Sequence, residues 1–95
     1  MYELTKVEGD MKGEIKLYAI STCVWCKRTK RLLESLGVSY NFIFVDTLDR
    51  GTRDEVETDV RKWNPRCSFP TMVINDDKCI VGFQEEEIKE ALGYE

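Results

Sequence analysis

Histidine is absent from this 95-residue chain, and proline occurs only twice. Without histidine the sequence lacks the commonest general base and the commonest nitrogen ligand for metals. No apolar run approaches the roughly 18–20 residues that a membrane-crossing helix needs. The opening stretch, MYELTKVEGDMKGE, is polar and of mixed charge, with nothing like the apolar segment of a secretion signal, so a cytoplasmic protein is expected. A basic face suited to nucleic acid is also missing from the overall balance, since the net charge is −4. Hydrophobic residues make up 42% and charged residues 34%, a mixture that folds rather than staying disordered. The length suffices for one core and therefore one domain.

Four cysteines are left to carry chemistry. Two lie in Ser-Thr-Cys-Val-Trp-Cys-Lys-Arg, as Cys23 and Cys26. In a reducing compartment a Cys-x-x-Cys pair is more often catalytic or metal-binding than a permanent staple. Structural zinc would want a second pair of similar spacing. Cys67 and Cys79 are too far apart to supply one, and no histidine can complete the set.

Hydrophobic patterning supplies the frame. Glu14–Ile20 reads as a buried strand, with residues 1–13 either a loose extension or an edge strand around Tyr2–Val7 before a domain spanning 14–95. Ser21 or Thr22 can cap a following helix whose apolar positions are Trp25, Thr29, Leu32, Leu33 and Leu36, ended by Gly37. Ser39–Asp46 is a second, interior strand. A helix over 52–63 follows, with Thr52 and Glu55 forming a capping box and Val56, Val60 and Trp63 its buried stripe. TMVI and KCIV flank Asn-Asp-Asp as a hairpin, and Phe83, Ile88, Ala91 and Leu92 mark a last short helix. The order β-α-β-α-β-β-α gives an α/β fold with a mixed four-stranded sheet.

On this layout Cys23 sits where a strand hands over to a helix N-terminus, whose free amides and dipole favour a thiolate. Cys26 lies one turn on and can reach back to Cys23. Cys23 is therefore the expected nucleophile, with Cys26 resolving the mixed disulfide that forms. Lys27, Arg28, Lys30 and Arg31 follow directly; Lys27 or Arg28 can add to thiolate stabilisation or guide an acidic partner, or simply form a solvated face. Trp25 is expected to be partly exposed beside Cys23 and to touch a docked partner. Cys67 is expected near the pair, either as a third thiol or as a buried inert one, and Cys79 as structural.

Cys23-Val24-Trp25-Cys26, the loop Ser68-Phe69-Pro70-Thr71 and Gly82, in that order, resemble the glutaredoxin branch of the thioredoxin-fold family over about Ile15–Leu92. The resemblance implies a three-layer thioredoxin-like fold and a cis-proline at Pro70. It also implies substrate contacts at Trp25, Phe69, Pro70, Thr71, Gly82 and Phe83, with Phe69 offering its backbone to a bound peptide or thiol. It implies no metal and no resident cofactor, the redox-active pair being recharged by an external reductant, either a reductase or glutathione. Some relatives instead carry an iron–sulfur cluster between two chains.

Glutathione-using members usually carry lysine three residues before the first cysteine, where this chain has Ile20. They usually carry a second glycine where it has Phe83. Phe83 is more like the redoxins that serve ribonucleotide reductase. The resulting expectation is a monomeric dithiol–disulfide oxidoreductase that reduces protein disulfides, fed by an upstream reductase and coupled weakly to glutathione.

Overall fold

A computed structural model describes residues 2–94. In chain order it contains β1 (Thr5–Val7), β2 (Ile15–Ala19), α1 (Val24–Ser35), β3 (Tyr40–Phe44), a 3-10 turn (Val45–Thr47), α2 (Arg50–Trp63), β4 (Thr71–Ile74), β5 (Lys78–Val81) and α3 (Glu85–Ala91). The sheet runs β1-β3-β2-β4-β5. β2 and β3 are parallel, joined through α1, and the remaining pairs are antiparallel.

Alternation along the strands divides the molecule into three layers. Ile15, Leu17 and Ala19 face a cluster completed by Cys26 and Leu33 of α1 and by Ile88 and Leu92 at α3. Tyr18, Ile43 and Val73 face the other way, onto Val56 and Val60 of α2. The side chain of every second strand residue points to the opposite face, so each layer of helix covers its own row.

The sheet has five strands, one more than the pattern of long apolar segments suggests. β1 pairs antiparallel with β3, placing Thr5 opposite Phe42 and Val7 opposite Tyr40. Without it β3 would present an open row of backbone donors and acceptors, and a short strand carrying Lys6 is a suitable edge. The segment after β1 is also held: the Asp10 amide donates to the Gly37 carbonyl at 2.8 Å and the Ser39 amide to Asp10 at 2.9 Å. A Cβ at Gly9 would stand 2.6 Å from the Val38 carbonyl carbon, so only glycine allows this close approach.

Two helix starts differ from the sequence reading. α2 begins two residues earlier, with Asp49 as its cap: the carboxylate accepts from the Thr52 amide at 3.1 Å and the Thr52 hydroxyl at 2.7 Å. A Thr52–Glu55 capping box therefore does not form. α1 is capped by neither Ser21 nor Thr22 but by Cys23, whose sulfur accepts from the Cys26 amide at 3.3 Å. Trp63, expected in the buried stripe of α2, is only half-buried.

Candidate active site

β2 ends at Ala19 and delivers Ile20, Ser21 and Thr22 to the start of α1. The Cys23 amide donates to the Ile20 carbonyl at 3.1 Å, closing this turn. Asp46, just past β3, clamps the same turn from its flank. Its carboxylate accepts from the Ser21 amide at 2.8 Å and from the Ser21 hydroxyl at 2.6 Å. Those two bonds, the hydroxyl first, hold the Asp46 carboxyl below its usual range. The turn that carries Cys23 is thus fixed at the ends of two neighbouring parallel strands.

The two sulfurs occupy unequal environments. Cys23 is half-buried, whereas Cys26 is completely buried on the α1 face of the sheet. Burial, with the contact to Cys23 adding to it, pushes the Cys26 thiol up to about 12, and the backbone of Ile20 pulls the other way. A thiol so shifted keeps its proton at neutral pH. The arrangement provides one accessible sulfur at a helix N-terminus and one protonated reserve sulfur a single turn behind it.

Beyond the sulfurs lies a cleft of about 290 Å³ lined by Trp25, Phe69, Pro70, Gly82 and Phe83. The Phe69–Pro70 peptide bond is cis. The Gly82 amide donates to the Pro70 carbonyl at 2.8 Å, tying the proline loop to the end of the hairpin. Gly82 does this with φ +81°, a conformation that side chains rarely tolerate. Trp25 is 53% exposed and stacks on Phe83, with ring centroids 6.1 Å apart. The Arg28 guanidinium lies over the same indole at 4.9 Å.

A family model described as Glutaredoxin matches residues 15–80. The chain belongs to the glutaredoxin family. It is 47% identical to the glutaredoxin from Methanosarcina mazei Go1, whose structure superposes with a TM-score of 0.89 over 98% of this chain and 90% of that one. Methanosarcina acetivorans methanoredoxin gives 49% identity and a TM-score of 0.88, covering 90% of each chain. A curated relative from Clostridium pasteurianum, described as an uncharacterized glutaredoxin-like 8.6 kDa protein in the rubredoxin operon, is 35% identical over 78% of this chain and 91% of its own length. Membership makes this glutaredoxin a thiol–disulfide oxidoreductase with a thioredoxin-like fold.

Five of the residues singled out from sequence thus line one cleft, and Thr71 does not. Its side chain is fully buried, donating to the Ser68 carbonyl at 2.7 Å and accepting from the Asn64 amide at 3.1 Å. Thr71 and Asn64 hold the proline loop from beneath. Lys27 is exposed on α1 and has no ion pair among the described residues. Cys67 packs with Val56 and Val60 on the α2 side of the sheet, and burial pushes its thiol up. Burial does the same to Cys79 in β5. Among the described residues no group of three or more metal-ligating side chains comes together, and no helix is long and apolar enough to cross a membrane. The Asp46 clamp and the Asn64 brace escaped the sequence reading. Asp46 does follow an apolar strand directly, a position from which a carboxylate reaches a neighbouring strand end.

Proposed function

We propose that this glutaredoxin reduces disulfides in other proteins through a dithiol cycle, with an enzyme such as ribonucleotide reductase as the kind of target. The observation that carries the reading is the inequality of the two sulfurs, one at the α1 N-cap and half-exposed, the other wholly buried behind it. The Cys23 thiolate attacks a substrate disulfide, forming a mixed disulfide and releasing one substrate thiolate. Cys26 then gives up its proton and attacks the Cys23 sulfur, expelling the second substrate thiolate and closing the Cys23–Cys26 disulfide. Two electrons have moved to the substrate, and an external two-electron reductant restores the dithiol.

Protein disulfides suit the cleft because an extended segment can pair with the Phe69 backbone while its side chains meet Trp25 and Phe83. Phe83 replaces the glycine that brings a glutathione backbone close, and Ile20 supplies no cation for a glutathione carboxylate. A reductase is accordingly the main donor, in a reducing cytoplasm.

Mixing the Cys26→Ser protein with a disulfide-bonded protein such as insulin tests the roles. A stable covalent adduct through Cys23 is expected by mass spectrometry, and its absence would remove the assignment. Turnover of the wild type with glutathione, compared with a flavin-dependent and a ferredoxin-linked reductase, tests the donor. Glutathione should be the slowest source.

A further inference from the structure

The charge pattern of α1 runs against the needs of the fold. α3 opens with Glu85, Glu86 and Glu87 and carries Lys89 in its last turn, while α2 ends in Arg61 and Lys62. Both complement the helix dipole. α1 has no acid in its first turn and no base in its last, and Lys27, Arg28, Lys30 and Arg31 all fall between its fourth and eighth residues. Lys30 is accounted for by Glu34 at 3.7 Å and by the Phe42 ring at 3.6 Å. Lys27, Arg28 and Arg31 have no carboxylate partner among the described residues. They form a cationic exception on an acidic molecule, and it lies beside the reactive sulfur.

A groove of about 430 Å³ opens along this face, between α1 and α3. Arg28 and Arg31 stand on one side, Leu32 and Leu36 contribute apolar surface, and Lys89 stands on the other side. Glu85 also reaches the rim, where it is bonded to Lys89 at 3.0 Å, leaving the two arginines as the available charge. Phe83 lines both this groove and the cleft beside Trp25, so the two adjoin at that side chain.

We propose that the groove receives an acidic segment of the protein substrate, adjoining the disulfide that Cys23 attacks. The inference rests on the dithiol reading above and adds the substrate class. Arg28 and Arg31 are three residues apart, about 4.5 Å along the helix axis, so they meet carboxylates on a chain running past rather than one small anion. The apolar floor takes the stems and aliphatic side chains between those carboxylates. The opposed charges also orient the partner before contact, raising the encounter rate at low salt.

The test uses the pre-reduced, full-length protein and three peptides. Each contains the same disulfide loop, followed by a short run of acidic, neutral or lysine residues. Second-order rates of peptide reduction are measured by acid quench and thiol counting. At low ionic strength the acidic peptide should react about tenfold or more faster than the neutral one, and the lysine peptide slower. The ratio should shrink towards one in about 0.5 M salt, where screening is nearly complete. Arg31→Glu, on the exposed surface of α1, should bring the acidic-to-neutral ratio to one or below. Equal rates for all three peptides, or a ratio unmoved by Arg31→Glu, would overturn the proposal while leaving the dithiol cycle standing. A small carboxylated disulfide showing the same ratio, over an uncharged one, and the same dependence on Arg31 would also overturn it in favour of a small anion. If no peptide were reduced at all, the dithiol reading would fall as well.

Discussion

α1 and α2 begin in chemically different ways. At α2 a carboxylate, Asp49, accepts from the amide and the hydroxyl of Thr52, and a full negative charge sits at the positive end of the helix. At α1 that place belongs to the Cys23 sulfur, which accepts one amide at 3.3 Å and has no acidic residue near it in the turn. The first cap is permanent and serves stability. The second is made by the very sulfur that the proposed cycle uses as its nucleophile, so the cap and the proposed reactive atom coincide. A fold that needed only to end a loop would use the α2 solution at both places.

Cys23→Ser breaks the contrast most severely. Serine is a good helix cap, so thermal stability should stay near the wild type, while disulfide reduction should disappear. A variant that retained turnover would move the nucleophile elsewhere. A smaller effect is expected from alkali. Folded Cys26 holds its proton to a higher pH than an unfolded cysteine, whose value is about 8.5. The two states bind protons equally below that value, and the folded state binds more above it. Stability of the reduced protein must therefore decline as pH rises from about 9 towards 12, by at most about 1.4 kcal/mol per pH unit for this group. Tyr2, Tyr18 and Tyr40, also pushed up by burial, add to the decline above pH 10. Denaturant melts should show a steeper decline for the reduced wild type than for Cys26→Ser, whose hydroxyl does not titrate there. The smallest effect belongs to the ordinary cap. Asp49→Ala should lower Tm by several degrees, with activity per folded molecule unchanged.

The same pair of helices shows what was legible in the sequence. Hydrophobic periodicity placed both of them, the parallel β2–β3 pair and the hairpin, because burial on one face leaves a repeating signature. It placed neither cap, since Ser21, Thr22 and Thr52 are all acceptable caps and the choice depends on what else competes for each side chain. Ser21 was taken by Asp46, a partner 25 residues away. β1 was ambiguous for a related reason: three residues at an edge bury too little to impose a pattern. Of the candidate site, the Cys23–Cys26 pair was legible from its spacing and its place between a strand and a helix, whereas Phe69, Pro70 and Phe83 were reached through the resemblance to glutaredoxins. Thr71 and Asn64 work through hydrogen bonds that cross the loop, and nothing in the spacing announces them.

Trp25 and Trp63 stand in contrasting places, one stacked on Phe83 two residues from Cys23, the other closing α2, packed against the α2-side core with Cys67. A disulfide accepts an electron from an excited indole far more readily than a thiol does. Closing the Cys23–Cys26 bond should therefore dim the emission of Trp25 and leave that of Trp63 as an internal reference. The aromatic that lines the cleft would then make the protein its own optical gauge, letting each turnover be followed by light without a dye.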